Sequence, residues 1–334
     1  MKAVLITAFF SFAISFLFTF YLVPMMIALA NQFGFIDIPD GKIKNHERPT
    51  PYLGGIAIYL GFLASFILTY PFDDRISMFL AGTTLLLFVG LLDDFIVLRP
   101  YQKFVGQSLA AFCFIKAGLH LKEHFFYHFW NIPLSFIWMV SVINAFNLVD
   151  VMDGLATLLA IGSALSFLVL AFYFSIYSVV ILLTSLLGAL CAFFWYNQPK
   201  AQIFMGDAGA LFIGGFFAVI PFLFNWGTYN WYGYLIPIII LAIPLLEIGT
   251  LILIRSYKRI PFYQANPDHF SIYLIKNGWS KWSILRYVLC ISLVCGYTGF
   301  LFVINTISFI GLATFATLLG CIWFFLLIPK KEAK

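Results

Sequence analysis

Residues 131–154, NIPLSFIWMVSVINAFNLVDVMDG, carry an apolar run into a polar stripe: Asn144, Asn147, Asp150 and Asp153 recur every third residue at its end. A helix needs about 20 residues to cross the hydrocarbon of a bilayer, and 131–149 supplies them. The stripe then falls on one broad helical face, and Asp153-Gly154 favours a turn. Amide and acid groups beside lipid need partners once dehydrated. They serve either as polar glue between helices or as a functional site, and the second reading is favoured by what surrounds them.

The rest of the chain extends the pattern. Of 334 residues, 63% are hydrophobic and 10% charged, against about 25% charged in a soluble domain. This predicts an all-α polytopic membrane protein of 10–11 transmembrane helices, a single integral-membrane domain over 1–334. Eleven candidate spans lie near 4–30, 54–71, 76–92, 104–118, 131–149, 155–174, 176–195, 208–224, 233–254, 284–305 and 308–329, punctuated by Gly118, Gly154, Pro199, Gly227 and Pro261. The first run is too long for a signal h-region and is expected to be a retained span. Five cysteines in apolar stretches, without CxxC spacing, give no disulfide framework or thiolate metal site.

Charge placement sets the expected orientation. Fifteen of the 19 Lys and Arg residues fall in the odd-numbered loops and the C-terminus, so the N-terminus is expected outside and the C-terminus in the cytoplasm. Asp37, Asp40, Asp93, Asp94, Asp150, Asp153, Asp207 and Asp268 map to that same inner side. A transporter would instead place ionisable residues inside its spans near the midplane.

Several polar groups therefore share one membrane face. Asp93-Asp94 ends the third span, where the helix macrodipole disfavours anions by about 0.3–1 kcal/mol, so the pair calls for a compensating cation. Arg99 and Lys103 are the nearest, and Lys103 could equally reach a substrate phosphate. Phe204-Met205-Gly206-Asp207 precedes the eighth span; Asp207 either caps a helix or joins an oxygen-rich site for Mg²⁺, with Mn²⁺ as the alternative. Basic residues of the first inner loop, Lys44, His46 and Arg48, suit a lipid phosphate or an anionic surface. Pro267-Asp268-His269 lies in the longest inner loop, and Glu247 lies within the ninth span with no catalytic role assigned.

Taken together the chain resembles the polyprenyl-phosphate N-acetylhexosamine-1-phosphate transferases, the group of WecA, TagO and MraY. The resemblance rests on Arg48-Pro49-Thr50-Pro51 through Gly54-Gly55, Asp93-Asp94 with Lys103 and Gln107, Asn144 through Asp150 and on to Asp153-Gly154-Leu155, and Phe204-Met205-Gly206-Asp207. It implies transfer of a sugar-1-phosphate from a UDP-sugar to polyprenyl (undecaprenyl) phosphate, releasing UMP, at the cytoplasmic face of a bacterial inner membrane, for cell-envelope polysaccharide synthesis. It further implies that Asn147 and Asp207 hold Mg²⁺, that Asp93 and Asp94 position or deprotonate the lipid phosphate, that Lys103 binds diphosphate oxygens and that Asp153 meets the uracil. His269 would join the catalytic set, with Lys44, His46, Arg48, Asn144 and Asp150 in substrate binding. The partners implied are the UDP-sugar, the lipid acceptor, the membrane and a second copy in a homodimer, with no nucleic acid.

Departures from the family pattern fall in the ninth loop, which bears on the sugar-recognising end, and in two of the other motifs. The inner loop reads Asn266-Pro267-Asp268-His269-Phe270-Ser271-Ile272 where relatives carry several histidines, and Val151 stands where a glycine is usual. Ala208-Gly209-Ala210 lacks the common hydroxyls. The Arg48-Pro-Thr-Pro stretch is nearer the WecA/TagO branch. An MraY-like enzyme using a MurNAc-pentapeptide donor, a membrane transporter and a non-catalytic scaffold remain as alternatives.

Overall fold

The computed structural model describes residues 2–38, 49–70, 74–122, 128–228, 231–261 and 267–327. Lys44, His46 and Arg48 lie outside the described residues.

In chain order the elements are α1 (Lys2–Phe33), a two-stranded antiparallel ribbon of β1 (Ile36–Asp37) and β2 (Thr50–Pro51), α2 (Gly54–Thr69), α3 (Asp74–Ile96), α4 (Pro100–Lys116), α5 (His128–Val149), α6 (Leu155–Tyr173), α7 (Tyr177–Asn197), α8 (Gly206–Val219), α9 (Ile236–Ile240), α10 (Ala242–Tyr257), α11 (Phe270–Lys276), α12 (Lys281–Val303) and α13 (Phe309–Leu326). Eight helices among the described residues are long and apolar enough to cross a membrane. The stretch 233–240 and α10 meet at a 73° bend, the shape of a broken span or a re-entrant loop. Of the two shortest candidates of the sequence, 76–92 is part of the 23-residue α3 and 104–118 is the 17-residue α4, while 54–71 is the 16-residue α2. The apolar stretch 155–195 divides at Phe174–Ile176 into α6 and α7.

Burial ranks these helices. In α6, α7 and α8 the most apolar windows are 72%, 72% and 78% buried, against 22% in α1 and 17% in α13. The first three are hydrophobic all round because other helices surround them, whereas α1 and α13 turn Phe9, Phe10, Phe18, Ile310 and Phe325 outward. α8 is the hub, packing against α2, α3 and α5. Phe212, Phe216 and Phe217 of α8 meet Phe62 of α2, Phe79 of α3 and Phe146 of α5 at ring-centroid distances of 5.2–5.6 Å.

Away from this aromatic block, small residues let helices approach, as expected where hydrophobicity alone gives no drive to associate. Ser11 of α1, Ser65 of α2 and Ser185 of α7 are buried, with hydroxyl separations of 2.6–3.1 Å. Gly61 sits so close to Thr19 that a methyl there would fall 1.8 Å from its hydroxyl.

Candidate active site

The polar end of α8 is built by its neighbours. Gly54 and Gly55 donate backbone N–H bonds to the carbonyls of Phe204 and Met205 (3.0 and 2.9 Å), and Phe204 donates to the Pro51 carbonyl (2.7 Å). The Pro-Thr-Pro and Gly-Gly stretches thus clamp the segment that leads into Asp207. Glycine is required for the approach: a Cβ on Gly55 would lie 2.2 Å from the Gly209 backbone nitrogen, and one on Gly90 2.4 Å from Ala208. Gly206 itself turns the chain at φ +68°.

Two carboxylates at the end of α3 face different partners. Asp94 accepts backbone N–H bonds from Asp207 (2.9 Å) and Ala208 (3.1 Å), one to each oxygen. It caps α8 from another helix, satisfying donors that the first turn cannot pair and meeting the positive end of the α8 dipole. Asp93 accepts the Leu98 N–H (2.6 Å) and the Lys103 ammonium (2.8 Å). The cation that an acidic helix C-terminus demands is therefore present, and α8 supplies the second compensation.

Lys103 is the centre of the cluster. From the start of α4, its ammonium donates to Asp93 (2.8 Å), Asp207 (2.6 Å) and the Asn147 side-chain oxygen (3.1 Å), while the Asn147 amide donates to the other Asp207 oxygen (2.7 Å). Residues from α3, α4, α5 and α8 thus meet at one point. The Asp207 side chain keeps 34% of its surface exposed, against 16% for Lys103 and 11% for Asp93, so Asp207 is more open to a ligand than either of its charged partners.

The remaining candidates lie around it. Asn144 is spent on a reciprocal amide pair with Gln107 (3.1 and 2.8 Å), locking α5 to α4. Asp150, in the turn after α5, is half-buried and has no side-chain partner among the described residues. Burial, then the charges of Asp207, Asp94 and Asp153, pushes its carboxyl up to about 8. Asp153 accepts from the Lys281 ammonium (2.8 Å) and the Lys200 N–H (3.2 Å). The same turn is tied down by Asn197, which accepts from the Gly154 N–H and the Thr157 hydroxyl and donates to the Ile203 carbonyl. His269 is placed in a second cluster, bonded through Nδ1 to Glu247 (2.9 Å), beside the Lys258–Asp268 ion pair (2.5 Å).

Lys281 and Asn197 carried no sequence signal as site residues, since a lysine opening a helix and an asparagine closing one are ordinary. Their partners become evident only once α7 and α12 pack beside α6.

The donor set suits a hard cation. Among the described residues no three His, Cys, Asp or Glu side chains form a metal cage. Mg²⁺, however, binds by one or two carboxylates together with substrate phosphates and water. An open Asp207 and an unpartnered Asp150 carboxyl within reach of its charge match that requirement.

The model of Glycosyl transferase family 4 matches residues 76–225. Similar proteins include a "Probable undecaprenyl-phosphate N-acetylglucosaminyl 1-phosphate transferase" of Bacillus subtilis (strain 168), 28% identical over 306 residues, covering 89% of this chain and 83% of the relative. A "Phospho-N-acetylmuramoyl-pentapeptide-transferase" of Staphylococcus aureus (strain JH9) is 30% identical over 313 residues, covering 84% and 94%. The Staphylococcus epidermidis (strain ATCC 12228 / FDA PCI 1200) protein of that name is 29% identical over 318 residues, covering 86% and 96%.

Proposed function

Since the chain belongs to the polyprenyl-phosphate N-acetylhexosamine-1-phosphate transferase family, whose members move a sugar-1-phosphate onto polyprenyl phosphate, we propose that its donor is a UDP-N-acetylhexosamine and its acceptor undecaprenyl phosphate. An oxygen of the lipid phosphate bonds to the sugar-bearing phosphorus of the donor. The bond from that phosphorus to the bridging oxygen breaks, and UMP leaves with the electron pair. The single observation that carries this reading is Lys103 held between Asp93, Asn147 and Asp207 where four helices meet.

Phosphoryl transfer asks a protein mainly for in-line positioning and charge neutralisation. Lys103 is suited to the diphosphate oxygens, exchanging its carboxylate contacts for phosphate ones. Asp93, already bonded to Lys103, orients it and is placed to align the incoming lipid phosphate. Asp94 acts through α8, fixing Asp207 by holding its backbone N–H. Asp207, Asn147 and Asp150 would hold Mg²⁺, or Mn²⁺ in its place, which when bound neutralises diphosphate charge and polarises the reacting phosphoryl group. Asp153 and Lys281 shape the side on which the nucleobase is expected, and the basic inner loop, with Lys44, His46 and Arg48, would attract the anionic lipid head. The reaction is assigned to the cytoplasmic face.

Purified protein given radiolabelled UDP-GlcNAc, undecaprenyl phosphate and Mg²⁺ should yield labelled lipid and free UMP. EDTA or Asp207→Ala should abolish both products. Absence of labelled lipid across a panel of UDP-sugars that includes UDP-MurNAc-pentapeptide would overturn the proposal. A product formed from the pentapeptide donor alone would place the chain with the MraY branch instead.

A further inference from the structure

Lys103 and Lys281 both bind carboxylates of the candidate site, but they are differently occupied. An ammonium has three N–H donors. Lys103 uses all three, on Asp93, Asn147 and Asp207. Lys281 uses one, on Asp153 at 2.8 Å, and makes no other hydrogen bond among the described residues. Its side chain keeps 38% of its surface exposed, against 8% for Asp153.

A short stretch ties Lys281 to the Lys103 cluster. Asn147 bonds both Lys103 and Asp207, and the turn carrying Asp150 and Asp153 follows it. Within that turn the Asp150 N–H returns to the Asn147 carbonyl at 3.4 Å, and Asp150 feels the charges of Asp207, Asp94 and Asp153 alike. α12 packs onto the same turn: Leu285, one helical turn beyond Lys281, lies 3.5 Å from where a Cβ on Gly154 would sit. Lys281 is also at odds with its own helix. It opens α12, where the macrodipole disfavours a cation, and Ser280 already caps that end by accepting the Ser283 N–H at 3.1 Å. A residue that breaks a local rule is expected at a functional site.

We propose that Lys281 is a second phosphate-binding residue of this site, keeping Asp153 while its remaining N–H donors take the nucleoside-bearing phosphate of the donor. The inference rests on the transferase reading, which supplies the nucleotide. Lys103 must release a partner to accept a phosphate oxygen, whereas Lys281 accepts one with its carboxylate still in place. It sits on the Asp153 side, where the nucleobase is expected, so the nearer phosphate is the one that leaves as UMP. A positive charge there stabilises that leaving group. A Lys281 that only neutralised Asp153 would touch no phosphate.

The test uses full-length protein, with UMP and uridine as probes. Wild-type protein is treated with acetic anhydride, and modification of Lys281 is read by peptide mass spectrometry. Saturating UMP should protect Lys281 from acetylation, and uridine should not. In calorimetry, Lys281→Gln should weaken UMP binding about tenfold, as for a lost charge-assisted hydrogen bond, with uridine binding unchanged. In turnover the same variant should raise KM for the UDP-sugar by a similar factor and leave KM for the lipid acceptor alone, and Lys281→Arg should recover most of the loss. Bound UMP that leaves Lys281 of the wild-type protein unprotected overturns the proposal, and that result decides even if Lys281→Gln does not fold. Equal losses for UMP and uridine in Lys281→Gln overturn it as well, since they place the whole effect in Asp153. Protein that binds no UMP and makes no lipid product overturns the transferase reading itself.

Discussion

Asp93 and Asp94 are neighbours of one residue type, yet their roles diverge because a helix sends successive side chains about 100° apart. Asp94 spends both oxygens on the first turn of α8. Asp94→Ala leaves two buried donors unpaired, at a cost of about 1–3 kcal/mol each. A thermal-unfolding assay should show a clear loss of stability, with or without substrate; an unchanged midpoint would mean that α8 needs no such cap. Asp150 supports a pH prediction of defined sign. Its folded carboxyl titrates near 8, against about 3.9 for an unfolded aspartate, so the folded state holds the extra proton between those values. Stability from this group is complete below about pH 3.9 and is lost as pH rises through 8. Metal-free protein should therefore lose thermal stability from pH 6 to 9, and Asp150→Asn should flatten that slope. A slope identical in the variant would show that Asp150 is not the titrating group.

At the scale of elements, the site depends on backbones that touch. Gly55 of α2 and Gly209 of α8 are so close that a single methyl would fall 2.2 Å from a backbone nitrogen, which cannot rotate away. Gly55→Ala should therefore cut transfer activity at least tenfold, although no charged or hydrogen-bonding side chain is altered. Turnover measured at saturating donor and acceptor checks it, and full activity would show that α2 can shift freely. Ser65→Ala, in the α1–α2–α7 hydroxyl cluster far from any phosphate chemistry, should lower stability by about 0.6 kcal/mol and leave turnover unchanged. The contrast explains what could be read in advance. Apolar runs near bilayer length gave nearly every helix, but the three-residue spacing from Asn144 to Asp153 stays helical only through Asn147, because α5 ends at Val149 and Asp150 and Asp153 lie in the turn that follows. Spacing along one helix could not say that Asn144 would be consumed by Gln107, or that Asp153 would meet Lys281 from 128 residues away. Those pairings depend on which helices become neighbours, and single-sequence periodicity does not carry that information.

For the whole molecule, the polar ends assemble only if the helices alternate in direction. α3 and α5 end at the cluster, whereas α4 and α8 begin there. One side of the bundle therefore collects the acids and Lys103, and the far ends of α2 and α6 hold the Phe66–Tyr70 and Phe174–Trp226 ring pairs. Excess lysine and arginine mark the loops on the acidic side, so this side should face the cytoplasm. There the basic loops would meet anionic lipid heads. Alkaline phosphatase fused after residue 122, on the side opposite the cluster, should be active in the periplasm. Green fluorescent protein fused at the C-terminus should fluoresce from the cytoplasm. The reverse pattern would place the Lys103 cluster outside the cell and remove the donor from its reach, so the topology measurement tests the reaction as directly as it tests the fold.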